Sequence, residues 1–418
     1  MTIAFSVHFP ETELKRLAPL RARLAAVFGV GENALLPVRG VGHARELAER
    51  SGVACEFIDE SGIDWSDEPS RAAAAEGGDG AVVYRHIGSA FGAETPLCGA
   101  LIAAPSVIGE FAKAVGADYL HPLIVAETLK AVAPGRLALK EARVAAWRRE
   151  RARVVQALNA IPGVRKVTVK AHPFLRVETP DADAVASRAA AFAAPLSKID
   201  EDVVNVLVSD PAANNRVLAA FGAEVGRSPR VAEVIRETKE TKIAVRVDLD
   251  RPGDVRITTG AGYFDHMLEQ IAAHGGISLT LACEGDAHVD LHHTIEDCAL
   301  ALGAALSQAL GERRGIARYG FVLPMDEAEA KVSIDLGGRP YAVFEGAFSA
   351  PLLGEYPTEM TAHVFRSLAQ TLGAAIHVSV KGDNDHHKTE ACFKAFARAL
   401  RAAIAVEGDV VPSTKGVL

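Results

Sequence analysis

The sequence predicts an α/β protein of two domains, the second a duplicated βα module. Three observations predict it. His266 and His363 are 97 residues apart, as are Gly285 and Gly382, and Asp286 and Asp383. After a three-residue difference the offset becomes 94 for His292/His386, His293/His387, Glu296/Glu390, Cys298/Cys392 and Leu306/Leu400. Unrelated segments do not hold register over that distance, so the C-terminal half carries an internal repeat. The N-terminal half mixes helical patterns with short strand-like runs. Between them FGAEVGRSPR, residues 221–230, has the composition of a linker. A chain of 418 residues, 49% apolar, is too long for one compact core. The boundary falls near residue 228, giving domains 1–228 and 229–418.

Within the first domain, ETELKRLAPLRARLAAVF and ALKEARVAAWRRERARVVQALNAI space their apolar residues for helices. VRKVTV, LRVET and VVNVLV are rich in β-branched residues and read as strands. The alanine-rich segments are good helix formers rather than low-complexity tracts. In the second domain each copy reads as a helix carrying the first histidine, then a strand, ISLTLACEGD or AIHVSVKGDN. The HHxxE follows, continued by a long apolar-striped helix, DCALALGAALSQAL or ACFKAFARALRAAI.

Composition excludes several classes of function. The net charge is -8 and no basic stripe is present, which argues against a nucleic-acid surface and for small-molecule partners. The five cysteines (55, 98, 283, 298, 392) are odd in number, widely spaced and without a CxxC, so neither a disulfide framework nor a zinc-thiolate site is indicated. MTIAFSVHFPETELKRL lacks a basic segment followed by an apolar core, and no apolar run approaches the roughly 20 residues that span a bilayer. A cytoplasmic protein without a membrane partner is expected.

Nine of the fourteen histidines lie after Lys239. HHTIED, His292 to Asp297, puts two adjacent histidines four and three residues ahead of a glutamate, and HHKTEA, His386 to Ala391, repeats it. On a helix those spacings bring imidazole and carboxylate onto neighbouring positions of one face. With His266 and His363 the set is six imidazoles and two carboxylates, about four for each of two ions. Nitrogen and oxygen donors without thiolate suit Mn(II) or Fe(II), with Zn(II) a competitor, and manganese is favoured. A lone histidine near a helix end is usually a satisfied polar residue, and His274, His288 and His377 are read that way. Cys298 and Cys392 are read as small core residues on the long helices. Arg318, Arg339, Lys394 and the Ser413-Thr414-Lys415 tail can supply charge-assisted hydrogen bonds to a phosphorylated substrate.

KETKIAVRVDLD (239–250), TTGAGYFDHMLEQ (258–270), DLHHTIEDCALALG (290–303), GIARYGFVLPMDEAEA (315–330), GGRPY (337–341), GDNDHHKTEACFKAFARAL (382–400) and the terminal PSTKGVL together resemble the imidazoleglycerol-phosphate dehydratases, over about 231–418. The resemblance implies a lyase of histidine biosynthesis, a homo-oligomeric shell of 24 subunits with sites between them, and two Mn(II) ions per site. It implies that His266, His293, His386 and Glu390 hold one ion and that His292, Glu296, His363 and His387 hold the other. Glu240, in the family's ET motif, would be the substrate-contacting acid/base. With Glu296 and Glu390 it completes the candidate catalytic carboxylates. Arg318, Arg339, Lys394, Ser413 and Lys415 would hold phosphate and substrate. Tyr263 departs from the usual apolar residue before the phenylalanine. The implied reaction converts imidazole-glycerol phosphate to imidazole acetol phosphate, with the substrate ring stabilised as an imidazolate between two cations.

The first domain carries a second resemblance. RHIGSAFGAETPLCGALIAAP is similar to the segment bearing the Schiff-base lysine of histidinol-phosphate aminotransferases, and RRERARVVQALNAIPGVRKV with NVLVSDPAANNRVLAAF resembles that family's C-terminal domain. Ser89 stands at the lysine, Leu97 at a phosphate-binding arginine and Asn205 at the carboxylate-binding arginine. An internal aldimine needs an amine, so no pyridoxal phosphate is expected, and the domain reads as a degenerate, non-catalytic fusion partner. The alternatives are a bifunctional enzyme with an active N-terminal aminotransferase, or a metal-binding scaffold without turnover.

Overall fold

A computed structural model describes residues 11–65, 69–91, 97–114, 120–169, 173–285, 290–413, 415–416 and 418. The chain divides into two compact units, Met1–Arg227 and Ser228–Leu418. Both are α/β.

The first unit contains two four-stranded sheets. One has the order β1-β4-β3-β2, from β1 (Leu35–Val38), β2 (Glu56–Asp59), β3 (Ala81–His86) and β4 (Gly99–Ile102). It packs among α1 (Glu11–Phe28), α2 (Val41–Ser51), α3 (Ala72–Glu76), α4 (Pro105–Ala114) and α5 (Pro122–Ala131), around a core that includes Leu20, Leu24, Val82, Leu101 and Phe111. The other is antiparallel throughout in the order β5-β6-β8-β7, from β5 (Lys166–Val169), β6 (Phe174–Glu178), β7 (Leu196–Asp200) and β8 (Val203–Leu207). Its core includes Val154 and Leu158 of α6 (Pro134–Asn159), Val185 of α7 (Ala182–Ala191) and Val217 of α8 (Pro211–Ala220). The helices expected over 11–28 and 138–161 form, as do the three expected strands. The first sheet was not anticipated. In β1, β3 and β4 nearly every residue is buried, so the chain reads as apolar runs without the alternation that marks a half-exposed strand.

In the second unit the repeat is larger than the sequence revealed. The first copy runs β9 (Val231–Glu237), β10 (Thr241–Asp248), β11 (Val255–Thr258), α9 (Gly262–Gly275), β12 (Ser278–Gly285) and α10 (His292–Leu310). The second runs β13 (Tyr319–Met325), β14 (Ala328–Asp335), β15 (Tyr341–Glu345), α11 (Met360–Leu372), β18 (Ala375–Lys381) and α12 (Asp385–Ala403), with a small hairpin, β16 (Leu352–Leu353) and β17 (Tyr356–Pro357), inserted before α11. The two sheets have the same order, β11-β12-β10-β9 and β15-β18-β14-β13. In each, the third strand lies parallel to the strand after the helix, and the remaining pairings are antiparallel. Helices α9 and α11 both end at a left-handed glycine, Gly276 (φ 65°) and Gly373 (φ 65°), again 97 apart.

One core joins the two copies, taking Val245 and Leu281 from the first sheet, Val332 and Val378 from the second, and Leu268, Leu302, Phe365 and Phe396 from the four helices. The helices pair across the copies: α10 packs on α11, and α12 packs on α9. Gly303 sets the first approach, because a Cβ there would lie 2.1 Å from Thr371 Oγ1 and 3.0 Å from the Leu368 carbonyl of α11. Replacing it with leucine should separate the helices and destabilise the unit by about 1–3 kcal/mol. Thermal unfolding of Gly303→Leu checks this, and a melting temperature equal to that of the parent would show that the close approach is not required.

Candidate metal centre

Both HHxxE motifs occupy first turns of helices, and matching side chains place them there. Asp290 Oδ1 accepts the His292 amide hydrogen at 2.8 Å at the start of α10. At the equivalent position before α12, Asn384 Oδ1 accepts from the amides of His386 (2.9 Å) and His387 (3.2 Å). Both contacts satisfy backbone donors that have no partner within a helix, Asn384 as the N-cap of α12 and Asp290 from one residue before the N-cap of α10.

Because the helices pair across the copies, each motif meets the first histidine of the other copy. Glu296 on α10 lies 3.7 Å from His292 Nε2 and 3.9 Å from His363 Nδ1 on α11. One ligand atom from each of the three lies within 4.8 Å of the others, which is room for a single ion. Related by the repeat, Glu390 on α12 lies 3.5 Å from His386 Nε2 and 3.9 Å from His266 Nε2 on α9. The carboxylate of Glu390 also accepts from Lys394 Nζ at 2.8 Å. Burial tends to raise its pKa, but the hydrogen bond and positive charge of Lys394, with the imidazoles of His266 and His386 nearby, outweigh it, so the group is held below the usual range.

Three residues of one expected quartet therefore close on a single point, whereas in the other Glu390 lies near His386 and His266 through different oxygens without the three donors closing to the same span, and the fourth residue of each points elsewhere. Adjacent histidines splay, with ring planes at 78° for His292/His293 and 83° for His386/His387. The first of each pair faces the glutamate one turn on. His293 instead turns its Nδ1 toward Glu240 Oε2, 3.7 Å away, and His387 turns its Nδ1 to Glu327 Oε2 at 2.8 Å. The expectation that both imidazoles share a face with the carboxylate holds for the i, i+4 pair only. Among the described residues, the buried Nδ1 atoms of His293 and His363 have no hydrogen-bond partner. Such atoms carry a cost that a cation would remove, and the nitrogen and oxygen donor set fits manganese.

Tyr263, the expected oddity, sets its ring 5.3 Å from that of His386 in an edge contact. Arg318 sits at φ 71°, uncommon for a residue with a side chain, and is gripped by Asp335 through Nε (2.5 Å) and Nη2 (3.0 Å). Its Nη1 donates to the Pro412 carbonyl at 2.9 Å, tying it to the tail in which the Lys415 amide donates to Ser413 Oγ at 3.2 Å. Arg339 is exposed between β14 and β15, and Lys394 is engaged with Glu390. Among the histidines read as bystanders, His274 bonds Gln270 at 3.2 Å and His377 is exposed on β18. Cys298 and Cys392 are fully buried in the core. Asp286, His288 and Thr414 lie outside the described residues.

Two residues escaped the reading of the sequence. Asp335 orients Arg318, and Glu327 binds His387. Glu327 precedes β14 as Glu240 precedes β10, at an offset of 87. That register differs from the 97 and 94 followed by the histidines, because the hairpin insertion separates the two parts of the repeat.

The model of the family described as imidazoleglycerol-phosphate dehydratase matches residues 259–400. The imidazoleglycerol-phosphate dehydratase of Pyrococcus furiosus, solved in complex with (S)-C348, is 34% identical and is covered over 100% of its length by 44% of this chain, with a TM-score of 0.40. The C-terminal unit thus carries an imidazoleglycerol-phosphate dehydratase domain. The histidine biosynthesis bifunctional protein HisB of Stenotrophomonas maltophilia (strain R551-3) is 60% identical over 191 residues, 46% of this chain and 54% of that protein. The chain thus spans about half the length of the curated relatives it matches. A histidinol-phosphate aminotransferase of Sinorhizobium meliloti, solved with pyridoxal-5'-phosphate, is 13% identical with a TM-score of 0.39, covering 49% of this chain and 80% of that one. Among the described residues no helix is long and apolar enough to cross a membrane.

Proposed function

We propose that the chain is a cytoplasmic hydro-lyase that dehydrates D-erythro-imidazole-glycerol phosphate to imidazole acetol phosphate in histidine biosynthesis. The observation that carries this reading is the pair of repeat-related triads, His292/Glu296/His363 and His266/Glu390/His386, in a unit of the dehydratase family. With His387 joining the first and His293 the second, they would hold two Mn(II) ions, whose charge favours the anionic form of the substrate's imidazole.

The reaction removes a hydroxyl from C3 and a proton from C2, and the resulting enol tautomerises to the ketone. Neither group leaves readily, so a positioned acid/base is needed. Glu240 suits that role: it sits on the turn between β9 and β10, its carboxylate is about half exposed, and it lies beside His293. Arg318 is preorganised by Asp335 and joined to the tail, so Arg318, Ser413 and Lys415 form a ready phosphate-binding group, with Arg339 and Lys394 as further cations. Since His293 and His387 point away from the triads in their own chain, each quartet is completed by a second copy in the 24-subunit shell that the family resemblance implies.

The N-terminal domain, by this reading, is degenerate and non-catalytic. Ser89 begins a single turn after β3, Leu97 packs against the first core and Asn205 lies within β8. None supplies the amine or the cations an aminotransferase needs. A fragment starting near residue 229 should keep dehydratase turnover and assemble, because its core and every proposed ligand lie beyond that point. The whole protein mixed with pyridoxal phosphate should give no aldimine absorbance and no transamination of histidinol phosphate. Cofactor absorbance with transaminase turnover would overturn the degenerate reading, and an assembled but inactive fragment would give the domain a direct part in catalysis.

A further inference from the structure

We propose that Glu327 is the positioning residue for His387, fixing the ring so that its Nε2 is presented to a metal ion. The inference rests on the dimetal reading above. It starts from the geometry of the β13–β14 turn, where Asp326 (φ 47°) and Glu327 link the paired residues Met325 and Ala328. That turn places the Glu327 carboxylate against the first turn of α12. Oε1 accepts the Asn384 amide hydrogen at 3.1 Å, and Oε2 lies 2.8 Å from His387 Nδ1. Asn384 in turn caps the amides of His386 and His387, so the carboxylate is anchored to the cap at one oxygen and to the ring at the other.

A carboxylate can only accept here, so Nδ1 carries the hydrogen and Nε2 holds the lone pair. A carboxylate behind a ligating imidazole orients the ring and raises its basicity as a donor, and losing such a partner typically weakens metal binding about 10–100-fold. The repeat supplies an internal comparison. Glu240 occupies the matching turn, but its Oε2 stands 3.7 Å from His293 Nδ1, beyond hydrogen-bond distance, and that nitrogen has no other partner among the described residues. One ancestral position has thus taken two roles. Glu327 is committed to its histidine, while Glu240 remains available for the substrate.

The test is Mn(II) titration of the metal-free full-length protein, following stoichiometry and affinity, for the parent, His387→Ala, Glu327→Ala, Glu327→Gln and Glu240→Gln. Glu327→Ala should weaken one of the two ions by about 10–100-fold and leave the other unchanged. Glu327→Gln, whose single amide oxygen can still accept from Nδ1 while its NH2 faces the Asn384 amide, should recover part of that loss. Glu240→Gln should bind both ions as the parent does. If His387→Ala loses an ion while Glu327→Ala keeps both at parental affinity, Glu327 does not position the histidine. If Glu327→Ala weakens both ions equally, its role is general stability, and the proposal also fails. A parent that binds no Mn(II) would overturn the dimetal reading and this proposal with it.

Discussion

Chelation should abolish dehydratase turnover, and added Mn(II) should restore it. The expectation follows from the triads: in each, a carboxylate lies near two imidazoles from different copies of the repeat, and at Glu390 Lys394 joins them. Buried imidazole nitrogens without partners among the described residues, at His293 and His363, are hard to explain as core packing alone. His293→Ala and His387→Ala should each lower metal content and rate, even though neither residue belongs to a triad in its own chain. His377→Ala, on an exposed strand position, should cost little. Turnover by verified metal-free protein, or equal losses at all three histidines, would show that the cluster has been misread.

Glu240→Gln should lower kcat by about 10²–10⁴, the range for a positioned acid/base group, while metal content and assembly stay intact. The amide is nearly isosteric and cannot exchange a proton at the pH of the assay. Glu240 stands outside both triads and on an exposed turn, so its loss should leave the fold undisturbed. Measuring kcat and metal content on one preparation separates the roles: a rate within twofold of the parent removes Glu240 from the mechanism, and a loss of metal makes it a ligand instead.

Much of the candidate site was legible because duplication writes it twice. Adjacent histidines one turn ahead of a glutamate, found at matching positions, marked the helices α10 and α12 and the residues proposed as ligands. Spacing alone could not show how the copies meet, although the family resemblance implied which residues share an ion. That His363 joins Glu296 and His266 joins Glu390 depends on helices pairing across the repeat, and the pairing is set by shape, as at Gly303. Nor could spacing reveal that His293 and His387 turn aside, since i, i+3 and i, i+4 neighbours look alike until χ angles are known. Glu327 was hidden by a shift of register at the inserted hairpin. In the N-terminal unit, helices with polar faces and the half-exposed strands β5, β6 and β8 were readable, whereas the buried strands β1, β3 and β4 carried no alternation to read.

The central claim is that two ions held by the paired motifs support dehydration. Its most direct test is to titrate metal-free protein with Mn(II) while following, on the same sample, bound metal and conversion of D-erythro-imidazole-glycerol phosphate. Turnover should be absent at the start, rise with loading and level off at two ions per chain. Two bound ions with no conversion of substrate would contradict the account and leave a metal-binding scaffold in its place.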